Sequence, residues 1–196
     1  MPGLEDDIER VIFHEAAIHG RLDEIARRIT ADYAGKELTV LAVLNGSLIF
    51  VADLLRRIPL PLKLDCISVS SYHGGVESTG NIVFDQISMP DIHERHVLIV
   101  DDILDTGQTL DAIRRKLSAE ARPRTVKICV LLRKVKARLV AVEPDYVAFD
   151  IADEFVVGYG LDYREKYRNL PFVGVPWKEL LQPKDGGGES PVEKMD

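Results

Sequence analysis

The run Val97-Leu98-Ile99-Val100-Asp101-Asp102-Ile103-Leu104-Asp105-Thr106-Gly107-Gln108-Thr109-Leu110 constrains this chain more than any other. Val97 to Val100 is continuously apolar and short, which predicts a fully buried strand rather than a helix. The adjacent carboxylates Asp101 and Asp102 are expected to end that strand. Gly107 permits a tight turn, and Leu110, Ile113 and Leu117 then recur with a helical period. The start of a helix offers unpaired N–H groups and positive dipole character, so it holds anions such as phosphate. Thr106 and Thr109 add hydroxyl donors at the same place. Carboxylates beside such a cradle would repel a bare phosphate. Together they point to a ligand that carries both phosphate and a divalent metal.

The flanking sequence fits an α/β frame. Ile8–Phe13 reads as a short strand, and Ile18, Leu22, Ile25, Ile29 and Tyr33 form the apolar stripe of an amphipathic helix from His14 to Tyr33. Thr39–Leu44 is a strand followed by Asn45-Gly46-Ser47 and an apolar helix from Leu48 to about Arg57, which Pro59 and Pro61 close. Leu64–Ser70 and Asn81–Ser88 are strands around the glycine-rich stretch Ser71–Gly80, which alone would be a flexible hairpin tip. Thr125–Leu132, Val147–Ile151 and Glu154–Val157 are further strands. The expected fold is α/β with a mainly parallel sheet, where ligands bind beyond the carboxyl ends of the strands. Asp101 and Asn45 both fall there.

At 196 residues the chain is long enough for one well-cored domain. It is expected to span residues 1–181, with 182–196, rich in glycine and charge, as a poorly packed tail. The net charge of −7 disfavours a general nucleic-acid binder. No apolar run approaches the roughly 20 residues that span a bilayer. The acidic start, Glu5-Asp6-Asp7, is unlike a signal peptide, and Cys66 and Cys129 lie in apolar stretches as free thiols would in a reducing compartment. A cytoplasmic location is expected.

For Asp101 and Asp102 the plain alternative is a capping loop with solvated acids, but a strand's carboxyl end favours a ligand site. There is no Gly-x4-Gly-Lys-Ser/Thr loop and no Gly-x-Gly-x-x-Gly after a strand. Asp102 and Asp105 are three apart, unlike the two of the aspartyl-phosphate motif Asp-x-Asp-x-Thr. By composition Lys134 is a surface lysine, Phe155 a core residue and Arg168 a helix-end charge.

Val97–Leu110 resembles the 5-phosphoribosyl-1-diphosphate signature of the type I phosphoribosyltransferases, in particular the hypoxanthine-guanine branch. Leu44-Asn45-Gly46-Ser47, Ser71-Tyr72, Lys134, Phe155–Tyr163 and Arg168 agree in order and spacing. The resemblance covers about residues 5 to 175. It implies a type I phosphoribosyltransferase fold: a mainly parallel twisted sheet flanked by helices, with a small hood from the N-terminal segment and about 152–181. It also implies a reaction, in which a 6-oxopurine and phosphoribosyl diphosphate give the nucleoside 5′-monophosphate and diphosphate with Mg²⁺.

Each site residue inherits a role from that resemblance. Asp105, Thr106, Gly107, Gln108 and Thr109 would take the 5′-phosphate, and Asp101 and Asp102 the ribose hydroxyls and the metal side. Asp105 would be the general acid or base at N7. A cis peptide at Leu44–Asn45 would turn the Asn45 and Gly46 N–H groups to the diphosphate, which Arg168 would also bind. Lys134 would donate to the 6-oxygen, and Phe155 would stack on the base. Val156, Leu161 and Asp162 would line the purine site, with the Asp162 carboxylate a metal ligand. Ser71 and Tyr72 would close over the centre as a lid. Asn45 and Gln108 stand where many relatives carry Lys. A homodimer or homotetramer is implied. The same fold also serves an RNA-binding attenuator, which has an aromatic or apolar residue where Asp105 stands; Asp105 and Lys134 favour the enzyme.

Overall fold

Alternate residues of a strand point to opposite faces, and Val97–Val100 uses both. The computed structural model describes residues 3–71, 82–84, 91–137 and 139–181. Val97 and Ile99 pack in one core layer with Leu110, Ile113 and Leu117 of α3 (Gln108–Glu120). Leu98 and Val100 pack in the other with Ile18, Leu22, Ile25 and Ile29 of α1 (Glu15–Asp32) and Phe50 and Leu54 of α2 (Leu48–Leu55). A strand covered on both faces must be apolar throughout, which is why this run does not alternate.

The sheet holds β2 (Leu38–Leu44), β3 (Leu62–Ser71), β4 (Ile82–Phe84), β5 (His96–Leu104), β6 (Thr125–Lys134) and β7 (Tyr146–Ile151), in the order β4-β3-β2-β5-β6-β7. All neighbours are parallel except β4, which runs antiparallel to β3. From β2 the chain crosses through α2 to β3 on one side, and from β5 through α3 to β6 on the other. The boundary between β2 and β5 is therefore the topological switch point, where such sheets open a crevice. The register shows the opening. β2 and β5 pair only from Leu38↔His96 to Ala42↔Val100, while β5 and β6 continue to Leu104↔Arg133.

That register corrects one expectation. The strand does not end at Asp101 and Asp102; it runs on to Leu104, held by β6, after β2 has departed. The acids therefore sit on a strand with one free edge. A second correction concerns Glu154–Val157, which is no strand: Val157 makes an isolated bridge to Gly174, and the chain turns at once through Gly158–Leu161. Its partner was missed in the sequence. It is β8 (Val173–Pro176), which pairs antiparallel with β1 (Ile8–Phe13) in a separate two-stranded sheet. A short helix, α4 (Lys178–Leu181), follows.

Of the other expectations, Tyr72 and the rest of the glycine-rich stretch, residues 85–88, and the tail at 182–196 lie outside the described residues. Ser71 ends β3. Among the described residues no helix is long and apolar enough to cross a membrane.

Candidate active site

The crevice at the switch point holds two adjoining cavities. The first, about 330 Å³, is walled by the end of β2 at Val43 and Leu44, by Gly46, by Asp101–Gly107, and by Thr109, Asp162 and Arg168. The second, about 230 Å³, is lined by Lys134, Glu154, Phe155, Val156 and Leu161. The two share Asp102, Ile103, Asp105 and Asp162 along their common edge.

The floor of the first cavity is the start of α3. Gly107 occupies the N-cap position with φ +84° and has no side chain to cap the helix, and the Gln108 N–H donates to the Thr106 hydroxyl at 3.5 Å. A Cβ there would lie 2.6 Å from the Val140 carbonyl oxygen, so the turn needs glycine for both its backbone and its space. The opposite wall is as close-fitting: a Cβ on Gly46 would fall 1.7 Å from Asp102 Oδ2. The Leu44–Asn45 peptide is cis, as the family resemblance implied. Arg168 is fixed at the rim, where Nη1 donates to the Gly160 carbonyl at 2.8 Å and Nη2 pairs with Asp162 Oδ1 at 2.8 Å. Asp162 Oδ2 also accepts the Glu165 N–H at 2.9 Å.

Asp101 is buried, and its Oδ1 accepts the Asp102 N–H at 3.0 Å. Burial and then the Asp102 carboxylate push the Asp101 carboxyl well above the usual range. Burial also raises Asp102, against the N–H of Ile103, which donates to its Oδ1 at 2.7 Å, and the attraction of Arg168. Asp101 and Asp102 set two carboxyl groups side by side on the cavity wall, and as carboxylates they form an oxygen donor pair suited to a hard cation. Among the described residues no three His, Cys, Asp or Glu side chains gather into a preformed metal cage. This donor set fits Mg²⁺, which takes one or two carboxylates and fills its shell with water and substrate phosphate.

The second cavity is a cluster of side chains rather than a backbone cradle. Lys134, the last residue of β6, keeps only 11% of its side chain exposed. Its Nζ lies 3.0 Å from Asp105 Oδ2 and 3.1 Å from Asp153 Oδ1. Lys136 Nζ lies 2.5 Å from Asp105 Oδ1 and 2.9 Å from the same Asp153 oxygen. Partial burial pushes the Asp105 carboxyl up, but the two ammonium groups outweigh it and hold its pKa below the ordinary carboxylate value. Phe155 is 44% exposed on the cavity wall, edge-on to Tyr163 with ring centres 5.8 Å apart. Val156 and Leu161 are buried behind it.

The structure thus gathers Gly46, Asp101, Asp102, Asp105, Thr106, Gly107, Thr109, Lys134, Phe155, Val156, Leu161, Asp162 and Arg168 around one crevice. Asn45 is exposed, and neither it nor Gln108 lines either cavity. Sequence reasoning missed Lys136 and Asp153 as partners of Asp105. The i, i+2 spacing of Lys134 and Lys136 at a strand end was the available signal, since it places both on one side.

The Phosphoribosyl transferase domain family matches residues 12–164. A hypoxanthine-guanine phosphoribosyltransferase of Streptococcus pneumoniae is 45% identical over 177 residues, covering 90% of this chain and 98% of that protein. One from Staphylococcus aureus is 43% identical over 171 residues, covering 87% and 95%. The solved Staphylococcus aureus hypoxanthine phosphoribosyltransferase superposes with a TM-score of 0.87 at 41% identity, over 92% of this chain and 97% of that one. The Trypanosoma cruzi hypoxanthine phosphoribosyltransferase in complex with its product IMP gives 0.83 at 37% identity, over 91% and 100%. The chain belongs to the phosphoribosyltransferase family and, within it, to the hypoxanthine-guanine phosphoribosyltransferases.

Proposed function

We propose that this chain is a cytoplasmic purine-salvage enzyme. It transfers the 5-phosphoribosyl group of phosphoribosyl diphosphate to N9 of hypoxanthine or guanine, giving IMP or GMP and diphosphate. The observation that carries the reading is the pair of cavities meeting at Asp102, Ile103, Asp105 and Asp162, one floored by a helix start and one walled by Lys134 and Phe155.

The α3 N–H groups and the hydroxyls of Thr106 and Thr109 bind the 5′-phosphate, with Gly107 and Gln108 supplying backbone donors. Asp101 and Asp102 take the ribose hydroxyls and, with Asp162, the oxygen shell of Mg²⁺. When bound, the metal offsets the charge of the diphosphate. The N–H groups of Asn45 and Gly46 and the Arg168 guanidinium hold that leaving group. Lys134 donates to the 6-oxygen, Phe155 stacks on the ring, and the carbonyls of Val156 and Asp162 accept from its N1 and 2-amino edge. Leu161 closes the apolar wall, and Ser71 and Tyr72 act as the lid that keeps out water. Asp105 takes the N7 proton as N9 attacks C1 of the ribose. Positioning and charge stabilisation then do the catalysis, with no covalent enzyme intermediate.

Residues 1–181 form one phosphoribosyltransferase domain, with a hood from the N-terminal segment and about 152–181; the β1–β8 pairing supports this division. A homodimer or homotetramer is the proposed assembly. The test is a steady-state assay with Mg²⁺, phosphoribosyl diphosphate and each of hypoxanthine, guanine, xanthine and adenine. Turnover of a 6-oxopurine with adenine discriminated by about 10⁴ is the expected result, because a site built on a buried donor rejects a base lacking the acceptor. Equal turnover of adenine would overturn the role of Lys134.

A further inference from the structure

Asp105 does not face the purine cavity with one lysine but sits between two. Its Oδ2 pairs with Lys134 Nζ at 3.0 Å and its Oδ1 with Lys136 Nζ at 2.5 Å, while Asp153 Oδ1 bridges both ammonium groups at 3.1 and 2.9 Å. The backbone dictates this alternating ring of charges. Lys134 ends β6, where it pairs with Ile151 of β7. Val135 then donates its N–H to the Ile151 carbonyl at 2.9 Å and turns its own side chain out, 67% exposed. Lys134 and Lys136 therefore fall on the same side, opposite Asp153 just beyond β7.

Two lysines on one carboxylate are redundant in the resting site and are not so once a base enters. To reach a 6-oxygen, Lys134 must turn from Asp105 Oδ2, which frees that oxygen toward the neighbouring N7–H. Asp105 would then be a partly buried carboxylate with its first cation gone. Lys136 remains on the other oxygen. We propose that Lys136 is a positioning residue for phosphoribosyl transfer: it fixes the Asp105 carboxylate through Oδ1, presents Oδ2 to the base, and keeps Asp105 anionic while Lys134 is engaged with substrate. Asp153 holds the two lysines apart and aligned. In the transfer step the N7 proton passes to Oδ2 and N9 bonds to C1. The C1–O bond breaks with its electrons leaving on diphosphate. Lys136 exchanges no proton.

The inference rests on Asp105 as the proton acceptor proposed above. Its sign follows from the charges facing that group. Lys134 and Lys136 stabilise the anion, while Asp102 on β5, Asp153 and Glu154 after β7, and Asp162 on the hood side oppose it. Burial already pushes Asp105 up, so removing Lys136 leaves the proton bound to higher pH.

The experiment measures kcat, KM and the pH profile of Lys136→Met, Lys136→Arg and Asp105→Asn with hypoxanthine, phosphoribosyl diphosphate and Mg²⁺. Lys136→Met should lower kcat about tenfold through misplacement of the carboxylate, with KM for phosphoribosyl diphosphate unchanged. The acid limb of kcat, which reports the complex in which Lys134 is engaged with the base, should move about one unit to higher pH, and Lys136→Arg should restore it. An unmoved acid limb overturns the inference, whether kcat is unchanged or falls together with both KM values and the unfolding temperature. Asp105→Asn keeps the two readings apart. Wild-type turnover in that variant overturns the proton-acceptor role itself, whereas its collapse beside an unmoved Lys136→Met profile overturns only the role of Lys136.

Discussion

On the side of the crevice proposed to hold phosphate, most groups come from one continuous run, Asp101–Thr109, and many are backbone N–H groups whose position follows from a strand, a left-handed glycine and a helix start. On the base side, Asp105, Lys134 with Lys136, Asp153 with Phe155, and Asp162 arrive from four separate segments, and the contacts are between charged side chains. The difference is one of rigidity. A backbone cradle has few ways to rearrange, while a ring of paired charges can trade one partner for another, as a purine's 6-oxygen would require of Lys134. On the proposed assignment, the backbone cradle serves binding and the ring of charges serves proton transfer and choice of substrate.

Four substitutions test that division, beginning with the strongest. Asp105→Asn should lower kcat by about 10² or more while leaving GMP binding largely intact, read by single-turnover kinetics and nucleotide titration. Lys134→Met should cut the ratio of hypoxanthine to adenine kcat/KM by about 10–10²-fold, the worth of a hydrogen bond from a charged donor, with KM for phosphoribosyl diphosphate unchanged. Gly107→Ala should act on the opposite side alone. A left-handed alanine costs about 1–2 kcal/mol and its Cβ would also press on the Val140 carbonyl, so KM for phosphoribosyl diphosphate should rise about tenfold or more with the purine preference kept. Were purine preference to change as well, the two sides would not be separable.

The smallest effect belongs to a tie between the turn at 158–161 and α2. Tyr159, in the turn that carries Leu161 and Asp162, donates its buried hydroxyl to Asp53 Oδ2 of α2 at 2.5 Å, and Arg56 pairs with the same carboxylate. Burial pushes the Asp53 carboxyl up, but the Tyr159 and Arg56 contacts outweigh it and hold its pKa below the ordinary value of 3.8. A depressed folded pKa means that this stability is fully present above the unfolded value and is lost as pH falls through the folded one. Tyr159→Phe should cost about 1–2 kcal/mol in denaturant unfolding near neutral pH. The variant should also lose stability less steeply below about pH 4, and an unchanged acid slope would detach Tyr159 from the Asp53 titration.

The α/β frame was legible in the residues because each layer writes its own period. Ile18, Leu22, Ile25 and Ile29 face the sheet from α1, and the apolar runs of β2, β5 and β6 mark strands covered on both faces. The pieces that escaped were short and depend on distant partners. β8 exists because β1, at the other end of the chain, offers it an edge, and Glu154–Val157 stays irregular because only Val157 finds a partner in Gly174. The end of β5 was misread for the same reason. Two charges look like a strand terminus, but β6 pairs past them to Leu104.

What the sequence by itself determined is the half of the site proposed to bind phosphate. Its acids, threonines and glycine are neighbours in the chain, and the local strand-turn-helix places them without outside help. Only the tertiary structure decided the base half. Lys136 and Asp153 are 17 residues apart, and they meet because β6 and β7 lie side by side in register, Lys134 against Ile151. An ion pair depends on the distance between charges rather than on their order in the chain. For that reason the second lysine on Asp105 became visible only once the sheet had brought its strand ends together.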